Sequence, residues 1–305
     1  MEAGRLVSLH EAAERAGLST EAAEWALVAS GITIPDADVA FVDEHLLSAL
    51  GAFAAAAALF GEAAALQFSR VLGAAAAKLA DAANGLFVSE VLRSTGKEAD
   101  VDGMGPVIAG QIPIAFAGLF PRHLDAAVER DRVTRRIGSF ETVEVAIGFV
   151  DIVGSTEWAQ HLSPIDHANA LLTFESAAWG TAMRHGGRVV KLIGDEAMLV
   201  AADLDSLCLM ALDLCEAVSD DPHLPPARGA VGRGEVVARD GDYFGPLVNL
   251  VSRCVKAAPA GSVVAVEDAW KDLDPSRWSS MLMAPLRARG IDGAVRVSTV
   301  TLVSG

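Results

Sequence analysis

Three cysteines in 305 residues, none spaced as CxxC, are too few and too odd in number for a disulfide framework or a thiolate zinc site. A reducing compartment is expected for such a chain, here the cytoplasm. Positive charge is also scarce: 24 Lys and Arg stand against 40 Asp and Glu, for a net charge of −16. A field of that sign repels phosphate backbones, so a nucleic-acid-coating role is excluded and any phosphate ligand must be held by local cations or metals. Met1 is followed by Glu2 and not by a basic and then apolar leader, so no secretory signal is read. No uninterrupted apolar run reaches the ~20 residues that cross a bilayer. Residues 46–61 are uncharged but short and alanine-dominated, and residues 103–121 are interrupted by Pro106, Pro113 and several glycines. Both read as buried helical segments, and no transmembrane segment is expected.

What the chain does have is apolar material, 52% of its residues with a mean hydropathy of +0.36, enough for one large domain or two modest ones. The pattern changes near residue 137. Before it, residues 8–16, 20–30, 36–60, 62–83 and 86–95 place apolar side chains at three- and four-residue spacing, which predicts successive helices. Ser19, Thr20, Asp36 and Asp38 stand where N-caps belong, and Gly17, Gly31 and Gly96 stand near helix ends. After it, short β-branched runs at 143–150, 188–193, 197–201, 230–238, 262–266 and 295–303 alternate with helical stretches. Between the halves, residues 124–138 carry Asp125, Glu129, Arg130, Asp131, Arg132, Arg135 and Arg136. Such a stretch forms a solvated helix, or one that couples the two domains; composition leaves both open. Residues 8–31 have the outline of a helix-turn-helix, but Glu11, Glu14, Glu21 and Glu24 would meet phosphates badly, so no nucleic-acid partner is expected.

Three motifs in the second half carry chemistry. In Phe149-Val150-Asp151-Ile152-Val153-Gly154-Ser155-Thr156 a carboxylate ends an apolar strand and a small-residue turn follows. Asp151 can ligate a hard cation, and backbone N–H groups at Gly154, Ser155 and Thr156 can approach an anion; Asp151 as a plain helix N-cap fits equally well. In Lys191-Leu192-Ile193-Gly194-Asp195-Glu196 a Gly-Asp turn follows a strand. The interval from 151 to 195 accommodates two helices and a return strand, which would set Asp151 beside Asp195. Two adjacent carboxylates repel unless a cation lies between them, so a divalent-metal site is one reading and an ordinary turn the other. In Gly241-Asp242-Tyr243-Phe244-Gly245-Pro246-Leu247-Val248-Asn249-Leu250-Val251-Ser252-Arg253 a Gly-rich turn opens a helix on which Asn249 and Arg253, four apart, share a face. An amide and a guanidinium so placed can orient a ribose and neutralise a phosphate.

With these three motifs in this order and spacing, residues 140–302 resemble the class III nucleotidyl cyclases, the family of adenylyl and guanylyl cyclases. The resemblance implies an α+β fold, a ferredoxin-like catalytic domain at 139–305 preceded by an all-α regulatory and dimerising domain at 1–123 and the charged connector at 124–138. It implies that Asp151 and Asp195, assisted by the Ile152 carbonyl, hold two Mg2+ or Mn2+ ions per active site. Lys191 and Asp242 match the pair that reads adenine, and Asn249 and Arg253 match the residues that orient the ribose and stabilise charge on the α-phosphate. Arg289, before Gly290, looks like the family's lysine for the terminal phosphates; arginine is a departure, and a solvent-facing residue before a turn is the other reading. The implied activity is conversion of ATP to 3′,5′-cyclic AMP and pyrophosphate in a head-to-tail homodimer with two shared sites. A guanylyl cyclase and a silent, nucleotide-binding regulator are the alternatives. Some bacterial cyclases, mycobacterial ones among them, carry a comparable Ala-rich domain, so a small-molecule, lipid or pH input is expected there, with His10, His45 and His123 as candidate proton acceptors.

Overall fold

Serine and aspartate start the helices where short side chains can reach the unpaired N–H groups of a first turn. In the computed structural model, which describes residues 6–35, 39–95, 101–133, 142–287 and 293–303, Ser8 accepts from the Glu11 N–H to begin α1 (Leu9–Ala16) and Ser19 from the Ala22 N–H to begin α2 (Thr20–Ala29). Gly17 closes α1 in the left-handed conformation, φ +71°. The third helix, α3 (Glu44–Phe60), starts later than the expected residue 36, because Asp43 is its N-cap; Asp36 and Asp38 lie outside the described residues. Gly61 breaks the chain before α4 (Glu62–Thr95). The predicted helices at 62–83 and 86–95 are one: the Asn84-Gly85 pair costs only about 1 kcal/mol of propensity, and α4 keeps Ala65, Ser69, Phe87 and Val91 buried along its length. It is followed by α5 (Val101–Val133), which runs through Pro113. A proline removes one helical hydrogen bond and kinks a helix more readily than it ends one.

The chain divides into two compact units, Met1–Pro121 and Arg122–Gly305. The core of the first gathers Leu9, Ala12, Ala23, Leu27, Val42, Leu50 and Phe53. Its α4 corrects the membrane reading in one respect: by length and composition Glu62–Ser94 is able to cross a bilayer, and only 11% of its apolar window is buried.

The second unit is built on an eight-stranded sheet in the order β2-β3-β1-β4-β6-β8-β7, with β5 paired to β4. Its strands are β1 (Thr142–Ile152), β2 (Arg188–Ile193), β3 (Glu196–Ala201), β4 (Ala227–Arg239), β5 (Asp242–Phe244), β6 (Val263–Val266), β7 (Trp278–Leu282) and β8 (Val297–Leu302). The order β4-β1-β3-β2 with crossover helices is the ferredoxin-like arrangement. A short α6 (Ser155–Ala159) and then α7 (Pro164–Arg184) join β1 to β2, α8 (Leu204–Ser219) joins β3 to β4, and α9 (Pro246–Val255) follows β5. Alternation along β1 sends Ala146, Val150 and Ile152 into a core with Phe174 of α7 and Leu207 of α8. The intervening Val143, Val145, Ile147 and Phe149 face Val251, Cys254 and Val255 of α9.

The seat of α9 leaves no room at Gly232 on β4. A Cβ there would lie 2.8 Å from Val266 Cγ2 and 3.0 Å from both Leu247 Cδ1 and Val251 Cγ2. Gly232→Ala is therefore expected to cost about 1–3 kcal/mol by overpacking, read as a lower urea midpoint. An unchanged midpoint would refute this close seating.

Candidate active site

Asp151 stands one residue from the end of β1, between two neighbours in register: Glu196 on β3 and Arg228 on β4. Odd positions of β1 face α9, so the Asp151 carboxylate lies toward that helix's C-terminal end. Lys256, the residue capping α9, reaches it. The carboxylate is 1% exposed and fully paired: Arg228 donates from Nε at 3.1 Å and from a terminal nitrogen at 2.9 Å, and Lys256 Nζ lies 2.5 Å away. Lys256 Nζ also lies 2.9 Å from Glu196. Burial pushes the Glu196 carboxyl above its usual range, against the hydrogen bond and charge of Lys256, and the charges of Asp151 and Asp195 add to the rise. Desolvation by itself would lower Lys256, but hydrogen bonds and charge from Asp151 and Glu196 outweigh it and hold the ammonium above its ordinary value.

The β2–β3 hairpin turns at Gly194-Asp195, with Gly194 at φ +64°. This carries Asp195 to the end of β1: the Ile152 N–H donates to the Asp195 carbonyl at 3.2 Å, and the Ser155 hydroxyl donates to the Asp195 carboxylate. Ser155 thus anchors Asp195, and Gly154, left-handed at φ +69°, is the residue from which α6 starts. Thr156 is exposed beside it. The turn and the strand end meet through the backbone, but the two carboxylates take different partners, Arg228 and Lys256 for Asp151 and Ser155 for Asp195. Among the described residues no three His, Cys, Asp or Glu side chains converge as a cage. Mg2+ is usually held by one or two carboxylates together with a ligand's phosphates, and to take such an ion Asp151 would give up its pairing with Lys256, the more exposed of its two partners.

A second cluster joins β2 to the β4–β5 hairpin. Lys191 and Asp242, 51 positions apart, form an ion pair, and the other Asp242 oxygen accepts from the Tyr243 N–H at 2.8 Å. Asn249 and Arg253 share the exposed face of α9, while Val251, Cys254 and Val255 fill its buried face. Neither Lys191 nor Asp242 hydrogen-bonds to the Asp151 cluster. Arg289 lies outside the described residues. Burial pushes the Cys254 thiol up to about 11, with the Glu267 charge adding, which leaves it without nucleophilic character near neutral pH.

Sequence reasoning did not single out Arg228, Lys256 or Arg188. Their signals are weak: an arginine opening an apolar strand, a lysine three residues after Arg253, and an arginine three before Lys191. Each becomes meaningful only through strand register or helix docking.

No protein-family model matches the chain. An uncharacterized protein of Mycobacterium tuberculosis is 30% identical over 303 residues, 95% of this chain and 78% of that protein. A pH-sensitive adenylate cyclase of Mycobacterium tuberculosis is 34% identical over 166 residues, 52% of this chain and 40% of the relative. Among solved structures, an adenylyl cyclase from P. aeruginosa superposes with a TM-score of 0.44 at 19% identity, over 53% of this chain and 95% of that one.

Proposed function

The chain belongs to the class III nucleotidyl cyclases of mycobacterial type, and from that premise we propose that it is an adenylyl cyclase, forming 3′,5′-cyclic AMP and pyrophosphate from ATP. The observation that carries the choice of base is the Lys191–Asp242 pair. Adenine offers an amino donor where guanine offers a carbonyl acceptor, so a carboxylate at that point favours adenine and is left facing an acceptor by guanine. A polar group left unpaired in this way is what makes such sites selective.

Asp151 and Asp195, with the Ile152 carbonyl, would hold Mg2+ or Mn2+, two ions per site. Such ions supply Lewis-acid charge to the phosphates and acidify the ribose 3′-hydroxyl. Asn249 holds the ribose, and Arg253 pairs with the α-phosphate oxygens as the 3′-oxygen bonds to the α-phosphorus and the bond to pyrophosphate breaks. Gly154, Ser155 and Thr156 border the phosphates, and Arg289 would meet the terminal ones. In one chain the aspartates sit at the end of β1 and Asn249 and Arg253 on the outward face of α9. Head-to-tail pairing of two chains would bring the two sets together twice.

In this reading the helical unit regulates. Exposed Leu72, Leu79, Leu86, Phe116, Leu119 and Phe120 leave apolar surface on α4 and α5, and a groove of about 460 Å³ between Leu72, Phe87, Ile112 and Phe116 could admit a small molecule or lipid. The pH-sensitive relative favours a proton input as well. Three free, buried cysteines suit a reducing cytoplasm.

The test is chromatography of products from the full chain with Mn2+ and either ATP or GTP. Cyclic AMP with equimolar pyrophosphate is the expected result. Cyclic GMP formed faster from GTP would give the site to a guanylyl cyclase, and intact nucleotide with a folded, dimeric chain would make it a silent regulator.

A further inference from the structure

Asp242 opens β5, a three-residue strand paired to β4. The turn of this hairpin consists of Asp240 and Gly241, both left-handed at φ +55° and +80°, and β5 pairs with β4 at only three positions, Val237↔Phe244, Ala238↔Tyr243 and Arg239↔Asp242. So short a hairpin has little rigidity of its own. Asp242 is the first residue after the turn, and where its carboxylate sits depends on what holds that turn down.

Arg188 does so from the far side of the sheet. It begins β2, separated from β4 by β3 and β1 in strand order, yet its guanidinium meets the hairpin tip. One terminal nitrogen lies 3.5 Å from the Gly241 carbonyl oxygen and the other 3.3 Å from the Tyr243 hydroxyl, while the guanidinium carbon stands 5.6 Å from the Tyr243 ring centroid. These are the two residues flanking Asp242. Arg188 contacts both neighbours at long hydrogen-bond distance and leaves the carboxylate itself to Lys191 and to the Tyr243 N–H. No ion pair joins Arg188 to a carboxylate among the described residues, and its buried Nε has no hydrogen-bond partner. An arginine kept for stability would be expected to spend its fork on a carboxylate; this one is spent on a backbone carbonyl and an aromatic ring at the tip of the hairpin.

We propose that Arg188 is the positioning residue of the base-reading pair: by clamping Gly241 and Tyr243 to β2 it fixes the Asp242 carboxylate at the distance from Lys191 that adenine requires. The inference rests on the assignment of Lys191 and Asp242 to the base. Arg188 and Lys191 are three residues apart on one short strand, so a single element sets the position of both members of the pair. Without the clamp the hairpin relaxes, the carboxylate wanders, and discrimination falls while the phosphate and ribose contacts persist.

The experiment measures equilibrium binding of ATP and GTP to the full chain by calorimetry, with kcat and KM alongside, for Arg188→Met, Arg188→Lys, Tyr243→Phe, Asp242→Asn and the double variant Arg188→Met with Asp242→Asn. Arg188→Met is expected to weaken ATP about tenfold and GTP less than about twofold, a loss of discrimination such as a displaced polar contact gives. kcat at saturating ATP should hold within about twofold, since interactions uniform between ground and transition state act on KM. Tyr243→Phe, which removes one oxygen and keeps the ring, should move the ratio the same way by a smaller factor. It also serves as the test if Arg188→Met does not fold. Because Arg188 acts through Asp242, the double variant should discriminate no worse than Asp242→Asn alone.

A ratio of ATP to GTP affinity unchanged in Arg188→Met and Tyr243→Phe, with Asp242→Asn altering it, overturns the positioning role and leaves the base assignment standing. Equal losses for both nucleotides with a lowered melting temperature overturn it too, in favour of simple stability. If Asp242→Asn itself leaves the ratio unchanged, the base assignment fails and this inference with it. Binding is read without turnover, so the outcome holds for a silent chain as well.

Discussion

Asp151→Asn is expected to lower cyclase turnover on the order of 1,000-fold, because a divalent ion contributes several kcal/mol of charge stabilisation to phosphoryl transfer and Asp151 is the buried carboxylate proposed to hold it. The same substitution should destabilise the ligand-free chain. The Asp151 side chain is 2% exposed and neutralises Arg228, itself 18% exposed, together with Lys256. An isosteric amide takes the carboxylate from Arg228 and leaves Lys256 to Glu196 alone. Removing one partner of a buried pair costs about 3–5 kcal/mol, and the 56% exposure of Lys256 brings the figure down to about 2–4 kcal/mol through solvent screening. Product chromatography and urea denaturation measure the two effects on one preparation. A third reading separates metal binding from folding: Mn2+ should raise the melting temperature of the natural chain and leave that of Asp151→Asn unmoved. Near-normal turnover by Asp151→Asn would remove this residue from the metal site.

Arg253→Ala should do comparable harm to turnover with little harm to folding. A donor aimed at charge that develops only in the transition state is worth about 100- to 1,000-fold in kcat, and KM should change little, since the ground-state contacts of the base and phosphates persist. Arg253 lies on the exposed face of α9, whose attachment to the sheet rests on Val251, Cys254 and Val255. The two inactive variants also test whether the sites are shared. Co-expressed in equal amounts, Asp151→Asn and Arg253→Ala chains should form heterodimers as about half of all dimers, each with one intact site, giving about a quarter of natural activity. Activity no higher than either variant alone would mean that each chain completes its own site.

How far these residues could be found in the sequence depended on the range of the interaction that places them. Helix starts at Ser8 and Ser19, the β-branched run of β1 and the turn at Gly194-Asp195 rest on near neighbours, and they were legible. Where a local signal was weak, reading failed: Gly85 did not split α4, and residues 110–121, expected to be buried, are largely exposed. The short strands β5 and β7 escaped because neither holds a Val, Ile or Thr, whereas the equally short β6 is a valine run.

The motifs around Asp151, Asp195 and Asn249 carried the resemblance to the cyclase family, and the meeting of Gly-Asp turn and strand end needed only the interval between 151 and 195. What neutralises Asp151 was decided by the tertiary structure. Arg228 stands 77 positions away and Lys256 105, and they meet one carboxylate because β4 pairs with β1 in one register and α9 docks on these same strands by one apolar face. The same holds for Arg188 and Tyr243, 55 positions apart. Sequence periodicity records which side of its own strand or helix a residue occupies, and carries no term for which other element will lie across from it; that is settled by sheet register and by the closeness of approach that glycines such as Gly232 permit.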